Sequence, residues 1–156
     1  MKNQTYQPTE FSDGYDGVGN AEAIVQHMHE LQNSGVHAAA PDTVTYNTFI
    51  GEFKRVSNKV NKYDPLKAEN LLRDMIHLRN IGSPIIAPDQ RSYNHLISAW
   101  VKTKQPKSSE KSYWWLHSMR EEYNGTGHDR TRPNFNTYNK VMAALAQLGH
   151  AVKVEH

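Results

Sequence analysis

Asparagine is a poor residue for a helix interior, because its short amide competes with the backbone for hydrogen bonds. Yet Tyr-Asn recurs in one setting, at Tyr46-Asn47, Tyr93-Asn94 and Tyr138-Asn139, 47 and then 45 residues apart. Each pair follows a proline and an acid or amide: Pro41-Asp42, Pro88-Asp89 and Pro133-Asn134. A carboxamide sets donor and acceptor side by side, which suits it to the Watson–Crick edge of a pyrimidine. Two such groups together would discriminate through the cost of an unpaired buried partner, about 1–3 kcal/mol. Other roles compete. Asp42, Asp89 and Asn134 stand just before helical stretches, where Asp and Asn are good N-caps. Asn47, Asn94 and Asn139 could instead bond between repeats. A fourth pair, Tyr123-Asn124, lies out of phase and runs into a Gly-Thr-Gly turn.

The elements that must hold these residues are also periodic. Tyr46, Ile50 and Phe53 stand at i, i+4 and i+7, and the spacing returns in Tyr93, Ile97, Trp100 and in Tyr138, Met142, Leu145. That is one stripe of a 3.6-residue period. A second string interleaves with it: "AEAIVQHM" from 21, "AENLLRDM" from 68 and "SYWWLHSM" from 112. Its positions i, i+3, i+4 and i+7 are again a helical stripe. Breaker-rich connectors such as "NSGVHAAAPD" and "NIGSPIIAPD" separate the two types. A short helix with one apolar stripe cannot bury it alone, whereas stacked hairpins can. The expected fold is therefore all-α, an α-solenoid of antiparallel helical hairpins. Residues 1–20 form an irregular segment and 21–149 the array, divided as 21–42, 43–89, 90–134 and 135–149, with a tail at 150–156. Of the adjacent Trp114 and Trp115, one is expected to be packed and the other partly exposed.

Composition bounds the chemistry. The 156 residues include no cysteine, which excludes disulfides, thiolate metal sites and cysteine nucleophiles. A net charge of +2 permits a polyanionic partner without demanding one. A mean hydropathy of −0.78 suits a thin architecture with much surface per residue. Nothing approaches 18 consecutive apolar residues, so no membrane partner is expected. His27 and His29 are two apart and diverge on a helix, a poor metal pair. No P-loop, nucleophile elbow or dinucleotide turn is present. Catalysis, metal and cofactor are therefore not expected. Basic residues gather in the hairpin turns, from Lys54 to Lys67 and from Lys102 to Lys111, and stacking would align them into a stripe able to track phosphates.

The unit now has recognisable content: "TVTYNTFI", "AENLLRDM", then Gly and a closing Pro-Asp in "IGSPIIAPD". It resembles the pentatricopeptide repeat family over about residues 21 to 149. The Trp-x-x-Leu-Gly-x-x-Tyr of tetratricopeptide repeats is absent from all three first helices. The resemblance implies binding of single-stranded RNA, about one base per repeat, read by two or three side chains. It implies that Asn47 works with Asp89, and Asn94 with Asn134, both pairs favouring pyrimidines. Asp42 and Asn139 become half-pairs. Val44 fits the family's wedge position, which Arg91 occupies in the next repeat, where it could stack on a base or meet a phosphate. The family is mostly mitochondrial or plastid and works in RNA processing, stability or translation; the first 20 residues show no targeting pattern.

The chain departs from the family in repeat length, 47 and 45 residues against about 35. The additions fall in the hairpin turns "KRVSNKVNKYDP" and "VKTKQPKSSEK" and in the connectors. A protein-binding scaffold without a nucleic-acid role is the competing expectation, with other proteins docking at the exposed repeat ends. Two whole repeats are fewer than the three or so needed for stability, so the array is expected to be a segment of a longer one.

Overall fold

The computed structural model describes residues 21–55 and 65–154. It contains helices α1 (Ala21–Asn33), α2 (Thr43–Arg55), α3 (Pro65–Asn80), α4 (Gln90–Lys102), α5 (Pro106–Thr126) and α6 (Phe135–Val154), with 3-10 turns at His37–Ala39 and Asp129–Thr131. No strand occurs among the described residues. The fold is all-α.

Each expected stripe becomes core where a second helix covers it. Helix α2 packs on α3 and α4; α4, at the centre, also contacts α3, α5 and α6; α5 packs on α6. Tyr46, Ile50 and Phe53 of α2 are buried, as are Tyr93, Ile97 and Trp100 of α4. Ala68, Leu71, Leu72 and Met75 of α3 join one continuous cluster with Trp115, Leu116 and Met119 of α5. Two residues bring α1 into it, Ala21 and Val25. Of the tryptophan pair, Trp115 is buried and Trp114 half exposed. Trp114 meets Trp115 edge-on at 4.7 Å, and the Arg73 guanidinium lies over both rings.

The stripe on α6 differs from expectation. Tyr138 is 38% exposed, Met142 64% and Leu145 40%, because no described helix follows α6 to cover them. The same helix buries Val141 and Ala144 on its other side, against the body of the molecule. Helix α6 also continues through Gly149 to Val154, past the expected end of the array. Likewise "VKTKQPKSSEK" is only a three-residue turn, 103–105; its remaining residues belong to α4 and α5. Part of the extra repeat length is thus taken up by α5, a 21-residue helix. The first inserted turn lies almost wholly outside the described residues.

The connectors are set by helix ends. After α1, Val36 N–H donates to Leu31 C=O and Gly35 N–H to Gln32 C=O; after α3, Ser83 N–H donates to Leu78 C=O and Gly82 N–H to Arg79 C=O. These are identical Schellman caps, which need a left-handed residue at the position after the cap. Gly35 and Gly82 supply it at φ +99° and +95°.

Glu69 ties α3 to α5. It is 4% exposed. Its carboxylate accepts from Arg73 Nη2 at 2.8 Å, Lys111 Nζ at 3.0 Å and Trp115 Nε1 at 3.2 Å. Burial alone would raise its pKa, but the bonds from Arg73, Lys111 and Trp115 outweigh burial and hold the carboxyl below its usual range. A depressed pKa contributes stability that is present above the unfolded value, about 4.3, and is lost as pH falls through the folded value.

Two outcomes are expected from urea unfolding. Gly82→Ala lowers stability by about 1–2 kcal/mol, the cost of a β-carbon in the left-handed region. Glu69→Gln flattens the loss of stability that the unmodified chain shows below about pH 4.3; an unchanged acid limb would remove Glu69 from that role.

Candidate functional site

The recurring prolines and acids place three helix starts, α2, α4 and α6, along one edge. Each start is closed by a reciprocal pair between the N-cap and a hydroxyl three residues on. In α2, Asp42 Oδ1 accepts from Thr45 N–H at 2.8 Å, and Asp42 N–H donates to Thr45 Oγ1 at 3.4 Å. In α4, Asp89 Oδ1 accepts from Ser92 N–H at 3.0 Å, while Asp89 N–H donates to Ser92 Oγ at 3.0 Å. In α6, Asn134 Oδ1 accepts from Thr137 N–H at 2.9 Å, and Asn134 N–H donates to Thr137 Oγ1 at 3.3 Å. This is the capping-box logic with a hydroxyl in place of the usual Glu or Gln. The Thr45 N–H bond, with help from the Thr45 hydroxyl, holds the Asp42 carboxyl below its usual range despite slight burial.

The motif asparagines join one helix start to the next. Asn47 Nδ2 donates to Asp89 Oδ1 at 3.1 Å, and Ser92 Oγ donates to Asn47 Oδ1 at 2.6 Å. The orientation of the amide follows from its partners, since the Asp89 carboxylate can only accept. One repeat further, Thr137 Oγ1 donates to Asn94 Oδ1 at 2.7 Å. Asn134 does not meet Asn94 directly; its Nδ2 donates to Gln90 Oε1 at 3.0 Å. The structure thus brings Asn47 and Asp89 together and links Asn94 to Asn134 through Thr137.

Close approach of α2 and α4 makes the first seam possible. Gly51 faces His95, and a β-carbon there would stand 2.9 Å from His95 Nδ1. That nitrogen lies 3.1 Å from the Asn47 carbonyl oxygen, to which it donates. A second tie runs beside it: the Thr43 hydroxyl is 3.1 Å from the Ile85 and Ala87 carbonyl oxygens and accepts from Ala87 N–H at 3.0 Å.

Exposure divides the predicted site residues. Asn47 is 7% exposed, with both ends of its amide engaged. Asp89 and Asn94 are half-buried; Asp42, Arg91, Asn134 and Asn139 are exposed. Val44 is 67% exposed, at the open side of the same edge. Both competing expectations are therefore realised together: Asp42, Asp89 and Asn134 cap helices, and Asn47 and Asn94 bond between repeats. Ser92 and Thr137, which hold the seams, were not anticipated. The signal was present, because each segment reads Pro, Asp or Asn, two residues, then Thr or Ser before Tyr-Asn.

Of the basic stripe, Lys111 is engaged by Glu69, Lys102, Lys104 and Lys107 are exposed, and the side chains of Lys54, Arg55, Lys59 and Lys62 lie outside the described residues. Among the described residues, no group of three His, Asp or Glu could hold a metal ion, and no helix is long and apolar enough to cross a membrane.

In comparisons with family models, curated proteins and solved structures, nothing matches this chain.

Asn47→Ala is expected to lower unfolding free energy by about 2 kcal/mol, since it strips a partner from both Ser92 and Asp89. Asn139→Ala, at an exposed position, should stay within about 0.5 kcal/mol. Equal effects in urea melts would show that the Asn47 seam contributes nothing.

Proposed function

We propose that the chain is a short α-solenoid of pentatricopeptide-like repeats that binds single-stranded RNA along the edge formed by the starts of α2, α4 and α6. The observation that carries the proposal is the convergence of Asn47 and Asp89, 42 residues apart in sequence, at 3.1 Å on that edge. The resemblance pairs these two residues for reading a base. Around them the edge offers an exposed apolar residue, Val44, and exposed polar ones, Arg91, Asn134 and Asn139. Val44 can wedge against a base face, Arg91 can meet a phosphate, and the half-buried Asn94 keeps amide capacity for a base edge. The role is binding without catalysis, with a preference for pyrimidines, and the resemblance would place it in organellar RNA processing, stability or translation.

A second reading, a helical scaffold for proteins with no nucleic-acid role, is favoured by one observation. The amide of Asn47 already spends its bonds on Ser92 and Asp89, at 7% exposure. The seam asparagines would then be structural alone.

Titration of the chain with short homopolymer RNAs at two salt concentrations separates the readings. The RNA proposal expects tighter binding to pyrimidine than to purine strands and a fall in affinity with salt, with a log–log slope of about −0.7 per phosphate contacted. Asn94→Ala should reduce the pyrimidine preference by about 1–3 kcal/mol while Val44→Ala weakens all strands alike. No binding to any strand at the lower salt would leave the scaffold reading.

A further inference from the structure

Helices α1 and α6 carry the two unmatched halves of a contact that the chain makes internally. In the central hairpin, Trp115 of α5 packs against Tyr93 of α4, ring centroids 6.2 Å apart. Trp115 stands fourth in "SYWWLHSM", the place that Leu71 takes in α3 and Ile24 takes in α1. Trp115 and Leu71 are each 1% exposed, but Ile24 is 42% exposed, because no first-type helix is paired with α1 among the described residues. At the other end, Tyr138 holds the place of Tyr93 and Met142 that of Ile97, and both are exposed because no second-type helix is paired with α6 among the described residues. Phe135, one turn earlier, is 80% exposed and widens this face.

We propose that copies of this chain associate head to tail, α6 of one copy receiving α1 of the next, so that Ile24 packs on Tyr138 and Met142. The occupant is specified by the chain's own internal interface. The stripe on α6 is the third occurrence of a surface covered by α3 on α2 and by α5 on α4. The helix that covers it belongs to the type that α1 represents, with its small residue, two central apolar positions and closing Met intact. The interface is heterologous, using different patches on the two copies, so each copy keeps one free end and growth continues unless the rotation closes a ring. This association does not depend on RNA binding.

The test is sedimentation of the full chain across about 10 μM to 1 mM. The weight-average mass should rise above the 17.8 kDa of one chain as concentration increases. Ile24→Glu and Met142→Glu, both at exposed positions, should each hold the chain at one-chain mass over the whole range. An equimolar mixture should give a 1:1 dimer and nothing larger, since one intact α6 face then meets one intact α1 face. Recovery in the mixture also shows that both variants are folded at the face used. A wild-type chain that stays at one-chain mass, a single variant that still associates, or a mixture that fails to pair would each overturn the proposal.

Discussion

The amide of Asn47 sits between two helix starts and must satisfy both. Its nitrogen faces a carboxylate, Asp89, and its oxygen faces the Ser92 hydroxyl, so the group has one productive orientation. Ser92 has one hydrogen to give and gives it to Asn47 while accepting from Asp89 N–H. The hydroxyl that closes the start of α4 is thus the one that fixes α4 against α2. A shift of one helix along the other by a single turn, about 5.4 Å, would break every bond in the set. Only the hydroxyl half of the arrangement recurs between α4 and α6, where Thr137 donates to Asn94 while Asn134 turns to Gln90. Register between successive first-type helices is therefore a polar constraint added to the packing of their apolar stripes.

Around this seam the other devices complete the frame. Schellman caps at Gly35 and Gly82 turn the chain back after α1 and α3, so that the next proline and cap arrive at the same edge. Glu69 fixes the second-type helices to one another through Lys111 and Trp115. The Arg79–Glu122 ion pair does the same lower down, and Tyr93 donates its hydroxyl to Glu122 at 2.8 Å. Burial, with the Glu122 charge beside it, pushes the Tyr93 phenol well above its usual range, so it stays a donor. Partly buried ion pairs thus tie α3 to α5, while the starts of α2, α4 and α6 keep exposed residues.

Helix positions were legible in the sequence because each apolar stripe keeps its 3.6-residue spacing, and the repeat was legible because two different strings kept phase. The tyrosines show the limit of that logic. Tyr46, Tyr93 and Tyr138 read alike, yet Tyr138 is exposed, because burial depends on a neighbour that a local pattern does not specify. The string "VKTKQPKSSEK", expected as an inserted hairpin turn, is mostly helix, because a proline is well placed at the first position of a helix and α5 begins at Pro106. The hydroxyl partners of the asparagines were the hardest to foresee. Ser92 lies 45 residues from Asn47, and Thr137 lies 43 from Asn94, so only the fold pairs them.

One residue therefore has two claims on it: Asn47 locks a seam, and the proposed function gives it a part in base reading. If the seam sets the register of the edge, the energies of Asn47 and Ser92 must be coupled. A double-mutant cycle of Asn47→Ala and Ser92→Ala, read by urea unfolding, measures that directly. A coupling of about 1–2 kcal/mol is expected, within the range for residues sharing one buried network. Additive losses, with coupling below about 0.3 kcal/mol, would contradict it.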